Sequence, residues 1–152
     1  MGVDTKAILR KGTTIEQIEK AISKKYTDVR VHMSTCDFAW VSFKDGAEQR
    51  QLAVLLADSY DSENNIYGVW TSMGMWGNSV EIVRYLCETF GGYLDENDCD
   101  DEGYYPINFH LYSQGKEFTK LDEFRHKVIQ EVGYDKLKSV MQLLEDYSKI
   151  LK

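Results

Sequence analysis

The segment from residue 74 to residue 79, Gly-Met-Trp-Gly-Asn-Ser, has the residue types of a turn that binds an anion. It joins an aromatic and β-branched run, which predicts a strand, to an apolar stripe with helical spacing. A chain that enters a helix through glycines leaves backbone N–H groups free to bind phosphate or carboxylate. An indole can stack on a ring, and an amide or hydroxyl can donate a hydrogen bond. The sequence therefore predicts a small-ligand site with the binding residues Trp76, Gly77, Asn78, Ser79 and Arg84.

This turn matches neither of two common nucleotide-binding motifs. No lysine follows it as a Walker motif requires, and its glycines do not follow the GxGxxG pattern. The alternative interpretation is a tight, well-capped turn in which Trp76 is buried. Both interpretations place a helix start immediately after the turn, so they differ only in whether Trp76 and Asn78 are available to a ligand.

The second candidate surface is an acidic block that begins at Asp95 and ends at Glu102. Residues 51–115 contain one basic residue, Arg84, and eleven acidic residues, although the whole chain has a net charge of only −7. Such a surface disfavours direct nucleic-acid binding, which needs clustered lysine and arginine, and favours a basic protein partner. Tyrosines flank the acids, and tyrosines anchor protein interfaces well. The predicted partner-binding residues are Tyr93, Asp95, Glu96, Asp98, Asp100, Asp101, Glu102, Tyr104 and Tyr105.

The acids do not complete a known cation-binding loop, and no catalytic motif accompanies them. If Asp98 takes the first position of an EF-hand, Phe109 falls at the twelfth, where a bidentate glutamate is needed. No HExxH motif, no histidine pair at metal spacing and no GxSxG motif occurs. We therefore assign no catalytic residue, no metal ligand and no cofactor, and we keep a metal-assisted phosphoesterase that uses the acids as a second alternative.

Two capping-box signatures mark the starts of helices in the first hundred residues. Thr13 with Glu16 predicts the first, over about residues 14–26, and Asn78 with Glu81 predicts the second. In each case a side-chain oxygen at the helix start is expected to accept a hydrogen bond from a free backbone N–H group. A Gly-Gly pair ends the second helix.

The remaining apolar runs predict strands around these helices. One strand at 6–11 precedes the first helix, four consecutive strands separate the two helices, and a short strand follows the second helix. The order β-α-β-β-β-β-α-β predicts an α+β protein, with an antiparallel sheet of four to six strands and helices on one sheet face. Residues 104–112 are consistent with a further edge strand or a packed loop. Residues 116–152 contain two apolar helical stripes, which predict a C-terminal αα-hairpin that can also support a homo-oligomer.

Length and composition predict one domain over residues 1–152, without a linker. No apolar run is long enough to span a membrane, and no signal-peptide core follows Met1. The three cysteines, Cys36, Cys87 and Cys99, have no paired spacing and are expected to be reduced thiols. We therefore expect a soluble cytoplasmic protein that does not contact a membrane.

Several runs of the sequence resemble small uncharacterised proteins of phages and prophages. These runs are MGVDTKAIL at 1–9, WGNSVE at 76–81, FGGY at 90–93 and NDCDD at 97–101. The resemblance implies a viral accessory protein that acts in the cytoplasm of a bacterial host cell, where binding a host factor is commoner than catalysis. It implies no residue roles.

The leading hypothesis is a non-enzymatic, phage-type accessory or counter-defence protein. Its acidic, tyrosine-rich face would bind and inhibit a basic protein surface of the host. The alternative is a protein that binds or sequesters a small anionic ligand, such as a nucleotide signal, at the helix start beside residues 74–79. Charge reversal at Asp98, Asp100 and Asp101 tests the first hypothesis, and Trp76→Ala with Asn78→Ala tests the second.

Overall fold

The structure is a computed structural model, and it describes residues 4–56, 66–96, 103–113 and 134–150, together with positions 124, 127, 128 and 131. The described chain contains seven strands and four helices. In chain order they are β1 (Asp4–Arg10), α1 (Ile15–Ser23), β2 (Thr27–Met33), β3 (Phe38–Asp45), β4 (Glu48–Leu55), β5 (Gly68–Gly74), α2 (Ser79–Phe90), β6 (Gly92–Asp95), β7 (Tyr105–Ile107), α3 (Phe109–Tyr112) and α4 (Tyr134–Ile150).

All seven strands form one antiparallel sheet, in the order β2-β3-β4-β5-β1-β6-β7. The α+β class and the antiparallel sheet are confirmed, whereas the predicted count of four to six strands was wrong by one. The additional strand is β7, which has three residues and contains Pro106. Because β7 is the edge strand, the N–H group that proline lacks is not needed for a neighbour on its outer side.

The main core lies between the sheet and the helices α1 and α2. Alternate residues of β3, such as Val41 and Phe43, are fully buried on this face, and so are Leu52 and Val54 of β4. The predicted stripes of both helices supply the other side of the core, which contains Ile18, Ala21, Ile22, Ile82, Val83, Leu86 and Cys87. Burial of these faces is the main stabilising contribution, since free energy falls in proportion to the apolar area removed from water.

The capping box of α1 lies one residue later than predicted. The N-cap is Thr14, whose hydroxyl accepts a hydrogen bond from the Gln17 backbone, and the Gln17 side chain accepts one from the Thr14 backbone. Thr13 is buried instead, and its hydroxyl donates to the carbonyl of Arg10 at 2.7 Å. The pairing of Thr13 with Glu16 was therefore wrong, because Thr13 bonds backward to the end of β1.

The opposite sheet face carries a smaller apolar cluster around Ile8, Ile66 and Tyr104. Met141 of α4 packs against this cluster, so the prediction that the helices lie on one sheet face does not extend to α4. Helix α4 corresponds to the second helix of the predicted hairpin, and the first helix falls largely outside the described residues. Within the described parts of the chain, no helix is both long enough and apolar enough to span a lipid bilayer. The cytoplasmic location stays a prediction.

Tyr112 is expected to make the stability of the fold sensitive to alkaline pH. Its buried hydroxyl donates to the carbonyl of Tyr67 at 2.7 Å, and burial raises the pKa of Tyr112 to about 12. Because the folded state favours the neutral phenol, this contribution is complete below pH ~10 and is lost as the pH rises towards 12. We expect Tyr112→Phe to lower the free energy of unfolding by about 1 kcal/mol at pH 7. The variant should lose less stability than the wild type between pH 10 and 12 in urea titrations, and an equal loss would contradict this assignment.

Candidate functional site

Strands β4 and β5 separate near the middle of the sheet. They pair at only three positions, from Ala53 opposite Ser72 to Leu55 opposite Trp70. Beyond Ala53, β4 still pairs with β3 and β5 still pairs with β1. A cavity of about 480 Å³ opens at this separation. Its walls are two tryptophans, three neutral polar side chains, an arginine and two further residues, namely Trp40, Trp76, Ser42, Gln49, Gln51, Arg50, Met73 and Gly74.

Arg50 is the buried polar centre of this site. Its side chain lies on the same face of β4 as Leu52 and is only 2% exposed. The guanidinium donates from Nη1 to Asn78 Oδ1 at 2.8 Å, and from Nη2 to the Trp76 carbonyl at 3.3 Å and to Ser79 Oγ. The Nε–H group of Arg50 is buried and has no hydrogen-bond partner. Arg50 thus holds the turn before α2 and retains one unused donor.

Among the described residues, the charge of Arg50 is only partly compensated at close range. Its ion pair is with Glu48, at 3.9 Å from Nη1 to Oε2, and the Glu48 side chain is 63% exposed. Asp45 acts one step away, by accepting from the amide of Asn78 at 2.5 Å. The N-terminus of α2 adds partial positive charge at the same place. Since buried charges are normally paired at close range, the guanidinium of Arg50 is a candidate partner for an anion.

The ring of Trp76 covers the guanidinium of Arg50 on its outer side. The ring centroid lies 3.9 Å from Arg50 Cζ, which is a cation–π contact. Trp76 itself is 55% exposed, so the alternative interpretation of a turn with this side chain buried was wrong. An exposed indole over a buried cation is available for stacking with a planar ligand.

The turn from Gly74 to Ser79 is tied together by side-chain hydrogen bonds. Ser79 is buried, and its hydroxyl accepts from Arg50 and donates towards the carbonyl of Gly74 at 2.6 Å. Asn78 occupies the N-cap position of α2, but its side chain makes no cap hydrogen bond. The predicted capping box of Asn78 with Glu81 was therefore wrong, because the Asn78 amide bridges Arg50 and Asp45 instead.

Four of the five residues predicted to bind a ligand lie together around Arg50. Gly77 has a positive φ of 58°, and an added Cβ would lie 3.1 Å from Arg50 Nη1, so the close approach of the guanidinium favours glycine there. The fifth residue, Arg84, lies further along α2 and donates to Glu96 and, at 2.9 Å, to the hydroxyl of Tyr105. Its role in ligand binding stays a prediction. The functional residue that the sequence analysis missed is Arg50.

Several described residues of the predicted acidic face bind or pack against other side chains of the same chain. Asp95 and Tyr104 are each 7% exposed, and Asp95 lies 3.9 Å from the ammonium of Lys6. Glu96 accepts from the hydroxyl of Tyr105, and burial together with this hydrogen bond raises the pKa of Tyr105. The half-buried Tyr93 packs edge-on against the ring of Tyr112. The other predicted contact residues, Asp98, Asp100, Asp101 and Glu102, lie outside the described residues.

The cysteines and acids of the described residues form no cluster suited to a metal ion. Within residues that the structure describes, no three or more His, Cys, Asp or Glu side chains are grouped for coordination. Cys36 is an exposed free thiol, and Cys87 is buried, which raises the pKa of its thiol. Cys99 and the central acids lie outside the described residues, so the prediction of no metal ligand there stays a prediction.

Comparison with known proteins adds no family assignment. No protein-family model, no curated protein sequence and no solved structure matches the chain. The resemblance to phage proteins therefore stays a prediction. The functional argument depends on the chemistry of the cavity between β4 and β5, which we call the Arg50 cavity.

Proposed function

We propose that the chain is a ligand-binding protein that holds a nucleotide, or a closely similar ring-bearing phosphate, in the Arg50 cavity. The observation that carries this proposal is that Arg50 is buried and incompletely paired. Arg50 lines an open cavity, its guanidinium is nearly fully buried with one unused N–H donor, and its ion pair is with an exposed carboxylate at 3.9 Å. A bound phosphate would supply negative charge closer to Arg50 than the 3.9 Å at which Glu48 lies.

The other walls of the cavity suit the ring of such a ligand. Trp40 and Trp76 offer large aromatic faces, and base–aromatic stacking is worth about 1–3 kcal/mol per base. Ser42, Gln49 and Gln51 offer hydroxyl and amide groups, which both donate and accept hydrogen bonds, as the edges of nucleobases do. The volume of about 480 Å³ is within the range of small-molecule sites. Ring, edge and phosphate thus each have a matching group.

Titration with nucleotides and their parts tests this proposal. Two of the three tryptophans line the cavity, so binding should change the intrinsic fluorescence. We expect adenosine or guanosine monophosphate to bind at least about tenfold more tightly than the matching nucleoside, because only the monophosphate pairs with the guanidinium. Isothermal titration calorimetry is the control, because the heat of binding does not depend on the absorbance or fluorescence of the nucleotide. Absence of any heat or fluorescence change with all four nucleoside monophosphates would contradict the proposal, and binding of aromatic carboxylates alone would change the ligand class.

The remaining hypotheses from the sequence stay predictions. Docking of a basic host protein on the acidic, tyrosine-rich face depends mainly on Asp98, Asp100 and Asp101, which the structure does not describe. Charge reversal at these three positions should weaken such a complex and reduce its salt dependence. A metal-assisted phosphoesterase would use the same acids, and its activity should disappear when a chelator is added.

A further inference from the structure

We propose that Trp76 is the specificity-determining residue of the Arg50 cavity, which admits ring-bearing anions and excludes bare ones. This inference rests on the proposed function and deepens it. Small inorganic anions are abundant in any cell, so a site that bound phosphate alone would be occupied by it. The indole of Trp76 is placed to prevent this, because it lies directly over the guanidinium that an anion must reach.

The exposure of the two side chains shows which group covers the other. Arg50 is 2% exposed and Trp76 is 55% exposed, with 3.9 Å between the ring centroid and Arg50 Cζ. The N–H donors of Arg50 are almost fully buried beside this ring, so a bare anion reaches them only when the indole shifts, and the cation–π contact is then lost without compensation. A ligand with its own ring can stack on the displaced indole and recover that loss. Selectivity follows from this difference.

The surrounding turn allows the ring to move while its backbone stays in place. The Trp76 carbonyl accepts from Arg50 Nη2 at 3.3 Å, and the Trp76 N–H donates to the Gly74 carbonyl at 2.9 Å. The backbone is therefore held on both sides of the residue. Gly77 follows Trp76 and Gly74 lies two residues before it, and neither has a side chain that could hinder a rotation of the indole. Motion of an exposed side chain between rotamers is fast, on a picosecond to nanosecond scale.

The test compares phosphate with a nucleoside monophosphate on Trp76→Ala and Trp76→Phe by calorimetry. In Trp76→Ala we expect phosphate to bind about tenfold more tightly, because the guanidinium is uncovered. The nucleotide should bind about tenfold more weakly, because a stacking surface is lost. Trp76→Phe should lie between the wild type and the alanine variant in both affinities. Since the Trp76 side chain is mostly exposed, both variants are expected to fold, and urea unfolding verifies this.

Trp40→Leu is the matched control, because Trp40 lines the cavity but makes no described cation–π contact with Arg50. Trp40→Leu should lower the affinity for the nucleotide and should not raise the affinity for phosphate. If the wild type binds no nucleotide, the proposed function fails. If the wild type binds the nucleotide but Trp76→Ala shifts both affinities in the same direction, Trp76 only supports the shape of the site and the present inference fails.

Discussion

Arg50→Gln is expected to weaken nucleotide binding at least about a hundredfold and to lower the free energy of unfolding by about 3 kcal/mol. Glutamine is neutral and shorter, so Asn78 Oδ1 and Ser79 Oγ lose the donor that now joins them to β4. The Trp76 ring also loses the cation on which it rests. Calorimetric titration measures the affinity, and guanidinium chloride unfolding, followed by circular dichroism, measures the stability. Arg50→Lys should recover part of the affinity, because it keeps the charge.

Arg84→Gln is the matched control for this substitution, since it makes the same chemical change at the arginine that the sequence favoured. The Arg84 side chain is 42% exposed, and it pairs with the similarly exposed Glu96. Such pairs contribute at most about 1 kcal/mol, so stability should change little. Nucleotide affinity should stay within about twofold of the wild type. Loss of binding in Arg84→Gln, with full binding in Arg50→Gln, would show that the ligand pairs with Arg84 and not with Arg50.

The turn of the site was predicted from the sequence, but its buried charged residue, Arg50, was not. The reason is that the turn depends on neighbouring residues, whereas the place of Arg50 depends on contacts between residues far apart in the sequence. The glycines, Asn78 and Ser79 predict a turn and a helix start, because these residue types are preferred at such positions. Arg50 belongs to the site only because β4 separates from β5 and because Trp76 returns over it. These are long-range relations, invisible to a window of neighbouring residues. One local signal was present: Arg50 shares the inward alternation of Leu52 and Val54, so a strand begun at Glu48 places it inside.

The order of the main elements followed from periodicity, whereas details at their ends did not. The apolar alternation of β2 and β3 and the stripes of α1 and α2 reflect burial, which acts on every second or every third and fourth residue. Thr13 and Thr14 each have a Glu or Gln three residues later, so the local capping signal is degenerate. The contact between Thr13 and Arg10 decides between them. Tertiary contacts therefore determine which of two equivalent caps forms.

Gly91→Ala is expected to destabilise the fold by about 4 kcal/mol or more, because a clash with neighbouring backbone is added to backbone strain. Gly91 ends α2 with a φ of 77°, and its N–H donates to the Cys87 carbonyl at 2.7 Å. An alanine Cβ would lie 2.2 Å from the backbone nitrogen of Tyr112 and 2.7 Å from the carbonyl oxygen of Asn108. Both atoms belong to the backbone around α3, so no side-chain rotation relieves the overlap. Thermal unfolding or soluble yield measures the effect.

Gly12→Ala is the comparison for this overlap, because the two glycines have similar positive φ values and different surroundings. Gly12 has a φ of 88°, yet an added Cβ would meet no atom within 4 Å. The substitution Gly12→Ala should therefore lower the free energy of unfolding only by the conformational strain, about 1–2 kcal/mol. A similar loss of stability in the two variants would show that α3 does not pack against the end of α2 as described. A much larger loss at Gly91 would show that the connection between α2 and β6 depends on the direct backbone contact with α3.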